Sequence, residues 1–93
     1  MNEQPSESAL ELLDYPNRYP LKVVGKPSKD FEQAMVAMVQ ARCPKADHIE
    51  ITRKESKGGK YISLTLTFTA WTRQQIEDIY RDLHASDQVV MTL

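Results

Sequence analysis

From Tyr61 to Thr69 the chain alternates without a break, with Ile62, Leu64, Leu66 and Phe68 on one side and Tyr61, Ser63, Thr65, Thr67 and Thr69 on the other. A period of two sends successive side chains to opposite faces of an extended backbone, so this stretch reads as a β-strand with one face in a core. Such a strand is stable only beside other strands and under a cover for its apolar face. The rest of a 93-residue chain must supply both.

The flanking segments do so in a definite order. Residues 1–7 are polar and are expected to form a flexible tail. Ser8, Ala9, Leu10 and Glu11 make a capping-box pattern that opens a short helix carrying Leu10 and Leu13. Pro16 and Pro20 frame an irregular link, and "LKVVG" then reads as a first strand with Leu21 and Val23 on one face. Ser28 or Asp30 can cap a helix in which Phe31, Ala34, Met35, Met38 and Val39 fall on one stripe. Pro44 ends that helix. "DHIEITRK" alternates again, with Ile49 and Ile51 inward, and "ESKGGK" supplies two glycines for a turn at positive φ.

A second helix begins at "AWTRQQIEDIYRDL". Thr72 and Gln75 form its capping box, Trp71 and Ile76 sit at the positions of a hydrophobic staple, and Ile76, Ile79, Tyr80 and Leu83 make its stripe. "DQVVMTL" closes as a last strand. The order is β-α-β-β-α-β, which predicts an α+β, ferredoxin-like sandwich over residues 8–93. In it a four-stranded antiparallel sheet carries two helices on one face, beside the short N-terminal helix.

With both helices on one face, the hydroxyl ladder looks outward, joined by Lys22, Val24, His48, Glu50 and Thr52. Threonine is also simply a good strand residue. The ladder is nevertheless a candidate self-association face, because hydroxyls cost less to desolvate than charges and can bond to their copies. RNA-recognition domains share the element order but present aromatics for base stacking, and Tyr61 alone is aromatic here. The net charge of −1 gives no bulk attraction to nucleic acid or anionic membrane. No apolar run approaches the roughly 20 residues of a membrane span. The stretch "MNEQPSESALELL" lacks the basic start and long apolar run of a signal peptide, and a lone cysteine suits a reducing cytoplasm, so a cytoplasmic protein is expected.

Catalytic signatures are sparse. Cys43 lies at a helix C-terminus, the wrong end of the dipole for a thiolate, and reads as a small core residue. His48 and His84 have no metal-ligand neighbours at a ligating spacing. "KGGK" precedes a strand, whereas a phosphate loop would precede a helix. The expected function is a small non-catalytic interaction or regulatory module acting as a homodimer. It needs no cofactor and engages neither nucleic acid nor membrane, while an unidentified protein or small-molecule partner stays open. The alternative is an enzyme of unrecognised type using Cys43 or His48.

"LELLDYP", "LKVVGK", "SKGGKYISLTLTFTA", "QQIEDIYRDL" and "VVMTL" resemble, in order and spacing, the small bacterial YbeD-like family. The resemblance runs from Leu10 to Leu93. It implies a ferredoxin-like fold akin to ACT regulatory domains, with no assigned catalysis. An ACT-like ligand site would lie beside the first strand and helix, at "VVGKPSKD".

Overall fold

A computed structural model of the protein describes residues 10, 13–44 and 48–93. The elements are β1 (Asn17–Gly25), α1 (Phe31–Arg42), β2 (Glu50–Glu55), β3 (Ile62–Ala70), α2 (Arg73–His84) and β4 (Val89–Thr92), with a single 3₁₀ turn at Lys57–Gly59. The strands form one antiparallel sheet in the order β2-β3-β1-β4. This is the ferredoxin-like arrangement the residue pattern predicts. The expected tail over residues 1–7, and nearly all of the expected N-terminal helix, lie outside the described residues.

The first strand is longer than the sequence suggests. β1 begins at Asn17, so the supposed link around Pro20 is strand, paired residue for residue with β3 from Asn17 opposite Ala70 to Gly25 opposite Ile62. Proline is tolerated here for a geometric reason. The amide of Leu93 donates to the carbonyl of Lys22 at 3.1 Å, so the backbone groups of Lys22 face β4. Two residues earlier the nitrogen of Pro20 faces the same way, but β4 pairs only from Val23 onward, so no ladder bond is lost.

Parity along β1 and β3 sends Tyr19, Leu21, Val23, Leu64, Leu66, Phe68 and Ala70 inward, all buried. From α1 they meet Phe31, Met35 and Val39, and from α2 Ile76, Ile79, Tyr80 and Leu83. Burial of each large apolar side chain stabilises by about 1.5–3 kcal/mol. Ile49, Ile51 and Ile62, expected inside, pack only partly against this core: Ile49 and Ile51 lie just before and in the edge strand β2, and Ile62 is the first residue of β3. Gly25 has a packing role. A Cβ there would stand 2.3 Å from the Phe31 ring and 2.6 Å from the Gln88 carbonyl, so the start of α1 rests directly on β1 backbone.

The helix ends differ. Thr72 caps α2 through Gln75 N–H at 3.2 Å, while Gln75 Oε1 reaches back to the amide of Trp71 at 2.8 Å, one residue earlier than the usual capping box. Trp71 itself is 46% exposed and stands outside the core, which corrects its assignment as a staple partner of buried Ile76. Asp30 takes the N-cap position of α1 without a side-chain bond, so α1 relies on its buried stripe. In the β2–β3 turn Gly58 and Gly59 adopt φ of 84° and 70°, the left-handed region their lack of Cβ makes accessible.

Two polar contacts tie the layers together. The Tyr19 and Tyr80 hydroxyls meet at 2.9 Å inside the core, and burial pushes both phenols above their ordinary range. Arg42 grips Asp82 through two bonds of 2.8 and 2.9 Å between the helices. Those bonds hold the Asp82 carboxyl below its usual pKa.

Tyr19→Phe should leave the Tyr80 hydroxyl buried and unpaired, costing about 1–2 kcal/mol, while adding Tyr80→Phe should recover part of that loss. Denaturant titration of the two single variants and the double variant measures the coupling. The Asp82 shift also has a sign. A carboxyl lowered on folding stabilises above its unfolded pKa, and that stabilisation fades as pH falls through the folded value. The melting temperature of the parent should therefore drop more steeply below about pH 4 than that of Asp82→Asn.

Candidate functional site

The described helices both pack on one side of the sheet and leave its other side uncovered by either. Register places its residues in rows. Glu50 and Pro20 flank Thr67, Thr52 and Lys22 flank Thr65, and Lys54 and Val24 flank Ser63. Met91 lies beside Val24 on β4. Ser63, Thr65, Thr67 and Thr69 are half-buried among these neighbours, while Tyr61, in the turn just before β3, is 42% exposed. The Ser56 hydroxyl accepts from the Tyr61 amide at 3.0 Å and the Tyr61 carbonyl accepts from the Ser56 amide at 2.9 Å, which fixes where the ring starts.

The ladder is not a uniform hydroxyl surface. Arg18 lies across it, donating through Nη1 to the His48 carbonyl at 3.0 Å and to Thr69 Oγ1 at 3.3 Å. Its Nη2 donates to the Thr67 carbonyl at 3.2 Å and meets Glu50 Oε1 at 3.4 Å. One guanidinium thus reaches from β1 over β3 to β2. Solvent-exposed pairs of this kind add little stability, but four bonds hold the side chain flat over Thr67 and Thr69. Pattern reading missed Arg18 because it fell between two prolines. The face accordingly has two halves: a polar lattice of Arg18, Glu50 and His48, and a half in which Lys22 and Lys54 stand diagonally across Ser63 and Thr65 with Val24 and Met91 alongside.

The residues of the catalytic alternative do not converge. Cys43 is fully buried in the core beneath the sheet, its amide bonded to the Val39 carbonyl at 2.8 Å, and burial pushes its thiol up. His48 is largely exposed, with its ring 4.0 Å from Glu50 on the outward side. His84 pairs instead with Thr92 Oγ1 at 3.2 Å and tilts against the Tyr80 ring. Among the described residues no three histidines, cysteines or acids gather where they could hold a metal ion. No described helix is long and apolar enough to cross a membrane.

Comparison with known proteins gives a consistent placement. Residues 10–93 match the family described as "Protein of unknown function (DUF493)". A UPF0250 protein of Bordetella pertussis is 37% identical over 92 residues, covering 99% of this chain and 98% of its own. One from Chromobacterium violaceum is 35% identical over 88 residues, with 95% and 99% covered. The solution structure of protein HP0495 from H. pylori superposes with a TM-score of 0.74 at 20% identity, over 100% of this chain and 98% of that one, a likeness of fold. Sequence, fold and relatives agree that the chain belongs to the DUF493 family, the small bacterial YbeD-like proteins whose residue pattern it carries.

Proposed function

We propose that the protein is a small non-catalytic interaction module of the cytoplasm that pairs with a second copy of itself along the open β4 edge of its sheet. The observation that carries this reading is the contrast between the two sheet edges. On the β2 edge, four of the six residues, Glu50, Arg53, Lys54 and Glu55, are charged, which discourages strand addition. β4 is the other edge, and Val89, Val90, Met91 and Thr92 carry no charge at all. Two β4 strands running antiparallel across a two-fold axis would satisfy each other's free backbone groups and bury Val90.

The hydroxyl face of Tyr61, Ser63, Thr65, Thr67 and Thr69 is the second route. Its half-buried threonine methyls and Tyr61 ring favour it. The lysines disfavour it, because a face-to-face pair brings Lys22 and Lys54 of two copies together without free carboxylates. An ACT-like regulatory role would add a small molecule beside β1 and α1, where residues 26–30 are all exposed.

Sedimentation of the parent and two variants distinguishes the routes. Val90→Lys should give a monomer, and Thr65→Lys with Thr67→Lys should remain a dimer. The reverse pattern assigns the interface to the face, and a parent that stays monomeric at high micromolar concentration refutes self-association. For the absence of thiol chemistry the check is reagent kinetics. Cys43 should label only when denaturant opens the core, and rapid stoichiometric labelling of the native protein would restore the nucleophile reading.

A further inference from the structure

The two kinds of cation in this chain are used differently. All five arginines are ion-paired: Arg18 to Glu50, Arg42 to Asp82, Arg53 to Glu32, Arg73 to Glu77 and Arg81 to Asp78. Six lysines fall among the described residues, and none lies within ion-pair distance of a carboxylate. They also share one region. Gly25 and Glu55 both pair with Ile62, so the link after β1, with Lys26 and Lys29, emerges at the same end of the sheet as the β2–β3 turn, with Lys57 and Lys60. Lys22 and Lys54 stand on the outward face on either side of β3, opposite Thr65 and Ser63.

Carboxylates at this end are turned elsewhere. Glu55 shares the helix side with its partner Ile62, Asp30 begins α1, and Glu32 is held by Arg53 at 2.8 Å. Among the described strand residues, Glu50 is the one carboxylate on the outward face, and Arg18 holds it. Two strand spacings of about 4.8 Å and an offset of two residues along β3 put Lys22 and Lys54 roughly 12 Å apart, beyond the Debye length of about 8 Å at physiological salt but well within the roughly 30 Å at 0.01 M. At low salt their potentials therefore add across Ser63 and Thr65, with Val24 next to Lys22 on the outward side of β1 and Met91 beyond it on β4. The overall charge of −1 conceals this separation.

We infer that the lysine end of the outward face is a docking surface for an acidic protein segment with apolar residues interleaved among its carboxylates. Carboxylates would meet Lys22, Lys54 and the turn lysines, while apolar side chains would cover Val24 and Met91. Nucleic acid suits the surface less well. Every guanidinium that could fork onto a phosphate already has a carboxylate, and Tyr61 is the single aromatic exposed at this end. Pairing of two copies along β4 leaves this face open, so the inference does not depend on it.

A displayed library of random peptides panned against the immobilised full chain at low salt should enrich acidic sequences that contain apolar residues. An enriched peptide, labelled and followed by fluorescence anisotropy, should bind Lys22→Gln with Lys54→Gln about tenfold more weakly, a change of about 1.4 kcal/mol. Gln33→Glu with Gln40→Glu alters the net charge equally on the exposed side of α1, and should change binding less than about twofold. Lys57→Gln with Lys60→Gln provides a second test at the turn if the first pair alters folding. Enrichment without an acidic bias, equal losses in the face and α1 variants, or tighter binding of a single-stranded RNA than of the peptide would each overturn the inference.

Discussion

Nine consecutive residue pairs join β1 to β3, and every other feature of the molecule is set by them. Because the register is unbroken, parity is shared along the whole length of the two central strands. A slip of β1 by a single residue against β3 would turn Tyr19, Leu21 and Val23 outward and bring Arg18 and Lys22 beneath the helices. The core and the outward face are thus one decision. Tyr19 in the core and Arg18 on the face owe their places to the same backbone step.

The regular parts of this pattern were legible from residues alone. The period of two over residues 62–70 and the capped amphipathic stripe of α2 identified both elements, and the order of elements gave the sheet topology. The N-terminal half of β1 was not legible, because Pro16 and Pro20 read as punctuation. What permits Pro20 is the shortness of the pairing with β4, a tertiary fact invisible to a local pattern. Arg18 and Tyr19 were lost with it, and these organise the face and the Tyr80 contact respectively. Trp71 shows the opposite error: a position that fits a staple by spacing is left facing solvent.

The hydroxyl ladder was located correctly as the outward side of β3, but its neighbours decide what it offers. Spacing along one strand says nothing of what lies across from it. Arg18 covers Thr67 and Thr69, and Lys22 and Lys54 bracket Thr65 and Ser63. Likewise, composition balanced the charges of the chain without showing that arginine and lysine do different work. Arginine, with its planar fork, closes ion pairs within the fold, while lysine, more strongly hydrated and flexible, is left at one end.

The step in the outline of the sheet has a further meaning. Beyond the bond from the Leu93 amide to Lys22, no described strand pairs with the β4 side of β1 from Asn17 to Leu21, and Pro20 offers no donor there. A foreign strand pairing with this stretch of β1 would find no donor at Pro20, and its hydrogen-bond ladder would be broken there. The same proline that hid the strand from pattern reading therefore guards the stretch of β1 that β4 leaves bare against strand addition.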